Sequence, residues 1–157
     1  MRTISKRTQY GLKAMLALGR RYGTGPILIA TLSKQEAIPL KFLEVILLDL
    51  KGRGLLESKK GKGGGYQLRN DPSGITIGSL IRVMEGPLAP LPCASETAFR
   101  PCKECPDVEA CGTRIIMRQV RDAMAEVLDR TTLADLIRRV DAVRQEKSSP
   151  EALMYDI

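Results

Sequence analysis

Four cysteines fall between residues 93 and 111, as Cys93, Cys102, Cys105 and Cys111, in the pattern C-x8-C-x2-C-x5-C. The chain has no other cysteine and no histidine. Thiolates are soft donors, so a set this dense suits an iron–sulfur cluster, zinc or Cu(I). On composition alone, four cysteines with a C-x2-C step fit structural zinc well. Zinc knuckles come as two close pairs, however, and the first interval here is eight residues wide. Thiol–disulfide exchange between neighbours such as Cys102 and Cys105 is the third reading. The missing histidine excludes a Ser-His-Asp or Cys-His pair and any histidine general base. No βαβ pattern surrounds the C-x2-C step, which argues against a thioredoxin-like redox enzyme. The expectation is a protein that is not an enzyme.

A second chemistry is electrostatic. Residues 1–70 carry 14 Lys/Arg against 4 Asp/Glu, a balance of +10. Residues 71–157 carry 11 against 14, a balance of −3, and the two sum to the net +7. So basic a front half is the footprint of a module that binds a polyanion. The stretch "LLESKKGKGGGYQLR", 55–69, reads as a β-hairpin with Lys59, Lys60 and Lys62 at its tip. Its glycines, Gly63 and Gly64 among them, let the backbone turn sharply and approach a partner closely. A nucleotide phosphate loop is disfavoured, because no Gly-Lys-Ser/Thr ending is present and a strand follows.

These groups need elements to position them. An apolar face of Leu12, Met15, Leu16, Ala17 and Leu18 predicts a first helix over 4–22. A short helix follows near 29–37, with Ile29, Leu32 and Ala37 expected to face inward. "AIP" is a tight turn, and Pro39 suits the first turn of the next helix, 39–52. Leu43, Ile46, Leu47 and Leu50 form that helix's inner stripe. Another helix spans 75–85. Three prolines in "EGPLAPLP" then lead into the cysteine loop, 92–112. A long helix starts near 113 with Thr113 as its expected N-cap. Ile116, Val120, Ala123 and Val127 repeat along it at 4-3-4 spacing, a seam suited to pairing two subunits. Thr132 and Asp135 offer a capping box for a last helix to about 146.

The chain has 157 residues, 43% of them hydrophobic and only 4% aromatic, so the core must be aliphatic. No apolar run approaches the ~20 residues that span a bilayer, and no membrane partner is expected. The basic, helix-periodic start reads as a mature helix. The expected compartment is the cytoplasm, where thiols stay reduced.

Helix, short helix–turn–helix, then basic hairpin is the order of a winged helix-turn-helix. The fold class expected is mainly α with a small β-hairpin wing, plus a long C-terminal dimerisation helix. In such a head the second helix of the pair enters the major groove N-terminal end first. Its leading residues are Pro39, Leu40, Lys41 and Glu44. Lys41 can reach a phosphate or guanine, and Glu44 can accept from a cytosine amino group. The hairpin lysines would serve phosphates or the minor groove. Arg2, Lys6 and Arg7 complete the expected DNA contacts.

Several stretches also resemble one family. They are "SKRTQYGLKAML" (5–16), "IPLKFLEVILLDLKGRGLLESKKGKGGGYQL" (38–68) and "ITIGSLIRVMEGPLAP" (75–90), followed by the cysteine loop and a long helix. Together they resemble the Rrf-type winged-helix repressors, which include IscR-, NsrR- and CymR-like members. The resemblance extends to about residue 140. It implies a homodimer on a pseudo-palindromic double-stranded operator, with the long helix as dimerisation arm. It also implies an iron–sulfur cluster, [2Fe–2S] or [4Fe–4S], on three cysteines, here Cys93, Cys105 and Cys111. CymR-like members have no cluster and bind a partner enzyme. In IscR-like members the fourth ligand is a histidine three residues after the last cysteine, where this chain has Arg114. In NsrR-like members it is an acid from the partner's first helix, yet residues 1–35 contain none. Cys102 is therefore the expected fourth ligand, with zinc or no metal as the alternatives. The expected layout is a DNA-binding head over 1–85 and a sensor loop over 86–112. The arm and terminal helix follow over 113–147, then a tail over 148–157.

Overall fold

The computed structural model describes residues 4–148. Arg2 and the tail beyond Ser148 lie outside the described residues. The described chain holds six helices: α1 Lys6–Arg20, α2 Ile29–Glu36, α3 Leu40–Gly52, α4 Ile77–Glu85, α5 Gly112–Arg130 and α6 Leu133–Ser148. Strands β1, Leu56–Lys59, and β2, Gly65–Leu68, pair antiparallel with Leu56 opposite Leu68 and Lys59 opposite Gly65. The architecture is mainly α with a two-stranded wing.

The core is aliphatic. Met15 and Leu18 of α1, Leu32 of α2, Leu43, Leu47 and Leu50 of α3, Leu80 of α4 and Leu133 of α6 are almost fully buried in one cluster. Each such side chain contributes roughly 1.5–3 kcal/mol on leaving water. The inner stripe expected of α3 is the one observed. Ala37 differs. It is exposed, with φ 51° and ψ 48°, and forms the left-handed pivot between α2 and α3. Its neighbours fix it there: the Ile38 N–H donates to Ser33 O at 3.0 Å, and Ser33 Oγ donates to Ile38 O at 2.6 Å. Pro39 is the N-cap of α3 and not its first turn.

The wing is anchored by a link absent from the sequence reading. Ile27 forms an isolated antiparallel bridge with Tyr66, with N···O distances of 2.8 and 2.9 Å. Gly65 has φ 143°, and a Cβ there would drive into the Ile27 carbonyl. Only glycine lets the two backbones meet so closely.

The last helix joins the head. The Leu133 N–H donates to Ile75 O at 2.7 Å, and the Ile77 N–H to Thr131 O at 2.8 Å. A Cβ on Gly19 would lie 2.7 Å from Ile137 Cδ1, so α1 and α6 touch at a glycine. Arg20 adds an ion pair to Asp141 at 2.8 Å. The sequence layout grouped α6 with the arm; its apolar face completes the core of the head.

Candidate functional site

Two regions carry the chemistry. The first is the outer surface of the head. Lys41 and Glu44 project from α3 into solvent, as do Pro39 and Leu40 at its start. Lys59, Lys60 and Lys62 are exposed at the tip of the wing, whose turn is made by Gly61 and Gly63 with φ of 88° and 74°. Gly64 is buried there, and a Cβ would collide with the Lys59 carbonyl. Lys51 Nζ donates to Ser58 Oγ at 2.6 Å, which ties the end of α3 to β1. α3 and the wing are thereby held as one surface. Lys6 is exposed, 3.3 Å from Gln9 Oε1. Arg7, expected to face DNA, is half-exposed and tied to the head: its guanidinium pairs with Asp49 at 2.6 Å and donates to Met84 O at 3.2 Å. Three helices, α1, α3 and α4, meet on that one side chain.

The second region is the cysteine loop. Cys93, Cys102, Cys105 and Cys111 all line one cavity of about 340 Å³, with Leu91, Pro106, Val108 and Arg114. Cys93 enters from a short 3-10 turn, Pro92–Ala94, packed on α5. Cys111 is the N-cap of α5, two residues earlier than the expected Thr113. That placement explains its acidity. The Arg114 backbone N–H and a hydrogen bond from the Cys105 thiol hold Cys111 below the ordinary thiol range. Partial burial pushes Cys105 up, and the neighbouring Cys111 adds to this. The Cys105 Sγ also lies 3.2 Å from Asp107 O, a second acceptor for its proton.

Arg114 does not ligate; it braces. Its side chain is only 14% exposed. Nε donates to Cys93 O at 3.0 Å and Nη1 to Val108 O at 3.2 Å, so it bridges both walls of the cavity. Its guanidinium also sits 5.6 Å from the Phe99 ring centre. Two turns along α5, Arg121 donates to Ala94 O at 2.7 Å. Sequence reasoning missed Arg121: it shares a helix face with Arg114 at i+7, but nothing in the sequence marks the backbone carbonyl it holds.

The donor set suits an iron–sulfur group, because four soft sulfurs rim one cavity beside a cationic side chain and a helix N-terminus. Among the described residues, no group of three or more His, Cys, Asp or Glu side chains converges on a single ion. A lone zinc needs its sulfurs about 2.3 Å from one centre.

Among the described residues, the remaining face of α5 has no cover. Ile116, Val120 and Val127 are 48%, 39% and 65% exposed, and Ala123 is exposed between them. No helix among the described residues is long and apolar enough to cross a membrane.

A basic helix-turn-helix with a lysine-tipped wing, carrying an uncovered helical arm, defines a winged-helix transcriptional regulator. The chain belongs to the Rrf2 family, described as "Iron-dependent Transcriptional regulator", whose pattern matches residues 4–139. An rrf2-like regulator of Rhodobacter capsulatus is 37% identical over 85% of this chain and 91% of its own. The solved structure of the CymR global cysteine regulator of B. subtilis is 33% identical, with a TM-score of 0.73 over 88% of this chain and 98% of its own. The IscR structure from T. potens is 27% identical, also at TM-score 0.73, over 98% and 96%. The protein is accordingly a DNA-binding transcriptional regulator and not an enzyme.

Proposed function

We propose that the protein is a sequence-specific repressor that acts as a homodimer in the cytoplasm and is switched by an iron–sulfur cluster on its cysteine loop. One observation carries the switch: all four cysteines line a single cavity at the junction of the head and α5. Cys93, Cys105 and Cys111, with Cys102 as the fourth ligand, would hold the group. When bound, it would supply a redox- and ligand-sensitive centre.

The chain's own residues then do the rest. Pro39, Leu40, Lys41 and Glu44 would enter the major groove, while Lys59, Lys60 and Lys62 neutralise phosphates near Gly63 and Gly64. Lys6 and Arg2 would add phosphate contacts. Ile116, Val120, Ala123 and Val127 would pair with the same seam of a second copy, placing two heads on a pseudo-palindrome. Half-sites in such dimers lie about 34 Å apart, so a small change at the arm alters affinity. Arg114 and Arg121 join the loop to the arm through backbone carbonyls, which gives the loop mechanical purchase on α5.

A second reading has its own support. Cys105 and Cys111 line the same cavity and shift each other's thiol in opposite directions, Cys111 down and Cys105 up, which suits a metal-free thiol switch. Anaerobic purification with iron, sulfide and zinc analysis separates the two. Operator binding by holo, apo and Cys105→Ala protein then tests switching: equal affinity in all three removes it.

A further inference from the structure

The outer ridge of α3 is apolar. With 100° between successive residues, Lys41, Val45, Leu48 and Gly52 recur at i, i+4, i+7 and i+11. That line lies diametrically opposite the buried stripe of Leu43, Ile46, Leu47 and Leu50. Val45 is 62% exposed and Leu48 59% exposed. Gly52 ends the ridge with nothing within 4 Å of its Cβ position. Covering two neighbouring aliphatic side chains at the crest of a helix is favourable, because it removes apolar surface from water.

The surroundings say what covers them. Lys41 leads the same ridge, Lys51 flanks it, and the wing bearing Lys59, Lys60 and Lys62 is tied to the helix end through Ser58. A protein partner for an apolar ridge seldom wants such a basic frame; duplex DNA does. Within a major groove, one base feature is apolar: the C5-methyl of thymine.

We propose that Val45 and Leu48 read thymine methyl groups, so that the operator half-site carries thymines where the middle of α3 crosses it. The inference rests on α3 being the recognition helix. Lys41 and Val45 are about 6 Å apart along the axis, and Val45 and Leu48 about 4.5 Å. At ~3.4 Å per base these are steps of one to two nucleotides. The half-site thus has a polar or phosphate contact at the Lys41 end and thymines one to three bases further along.

The test begins with binding sites selected from random duplexes by the full-length protein. Each thymine is then replaced singly by deoxyuridine, which removes only the methyl. Affinity is read by fluorescence anisotropy at one fixed salt concentration. At one or two positions per half-site, the wild-type protein should bind the uracil site about four-fold more weakly per buried methyl. Val45→Ala and Leu48→Ala should each erase the penalty at its own position, with unchanged binding to unrelated duplex. A flat uracil scan on a selected site overturns the inference and leaves α3 as the reading helix. Penalties that persist in both variants overturn it too. Failure to select any site overturns the recognition-helix reading itself. The wild-type scan stands even if a variant folds poorly.

Discussion

Arg121 is the residue whose loss should be felt furthest. Its side chain is 12% exposed and holds the Ala94 carbonyl, which fixes the entry of the cysteine loop onto α5. Arg121→Ala leaves that carbonyl without its donor, at a cost of about 1–2 kcal/mol. The expected results are a lower urea midpoint and faster proteolysis within 95–110 in metal-free protein; unchanged loop protection would remove the bracing role. Ala37 makes a prediction of the opposite sign. An L-residue with φ 51° is strained, so Ala37→Gly should stabilise the head by about 0.5–1 kcal/mol in thermal melts. The four thiols were legible because cysteine type and spacing announce themselves. Arg121 was not, because its partner is a backbone carbonyl 27 residues upstream, and any residue carries one. Nor was the tie from Arg7 to Asp49 legible, because the acid opposite it lies 42 residues downstream.

At the scale of elements, local signals served well wherever the contacts were local. The α6 capping box is as the sequence reads: the Thr132 N–H donates to Asp135 at 3.0 Å, and the Asp135 N–H to Thr132 Oγ1 at 3.0 Å. These bonds hold the Asp135 carboxyl below its ordinary range, Thr132 hydroxyl first. A depressed carboxylate contributes stability that is full above the ordinary value near 3.9 and is lost as pH falls through the folded-state value. Asp135→Asn should therefore melt lower at pH 7, and the gap to wild type should shrink as the pH falls below the ordinary carboxylate value; a constant gap would sink the assignment. The wing makes its own prediction. If Lys59, Lys60 and Lys62 each neutralise a phosphate, replacing all three by Ala flattens the log Kd–log salt slope by up to about 2.7. An unchanged slope would take the wing off the DNA. The Ile27–Tyr66 bridge that aims this wing escaped the sequence reading, since a single extended residue has no periodicity to detect.

For the whole molecule, the proposed homodimer raises the question of how two heads would be held at one distance. The uncovered seam of α5 supports a symmetric pair. Val120→Glu places a charge on each side of that seam and should yield a monomer by sedimentation, with the head still folded. Loss of the second head should weaken operator binding about a hundred-fold or more. A variant that stays dimeric would move the interface elsewhere. The bias of charge toward the front half points to the end that would meet nucleic acid in the proposed complex. It could not reveal that the chain doubles back, because the α1–α6 contact joins residues more than a hundred positions apart.

That doubling back bears on synthesis. Leu133 is fully buried in the same core as Met15 and Leu18, and Asp141 anchors Arg20. A nascent chain paused after the wing would already carry its lysines and reading helix but would lack one wall of the head. Stable operator occupancy must then wait until α6 has left the ribosome. By that point the cysteine loop and the arm have been made as well, so a DNA-reading head is not finished before the parts that would govern it.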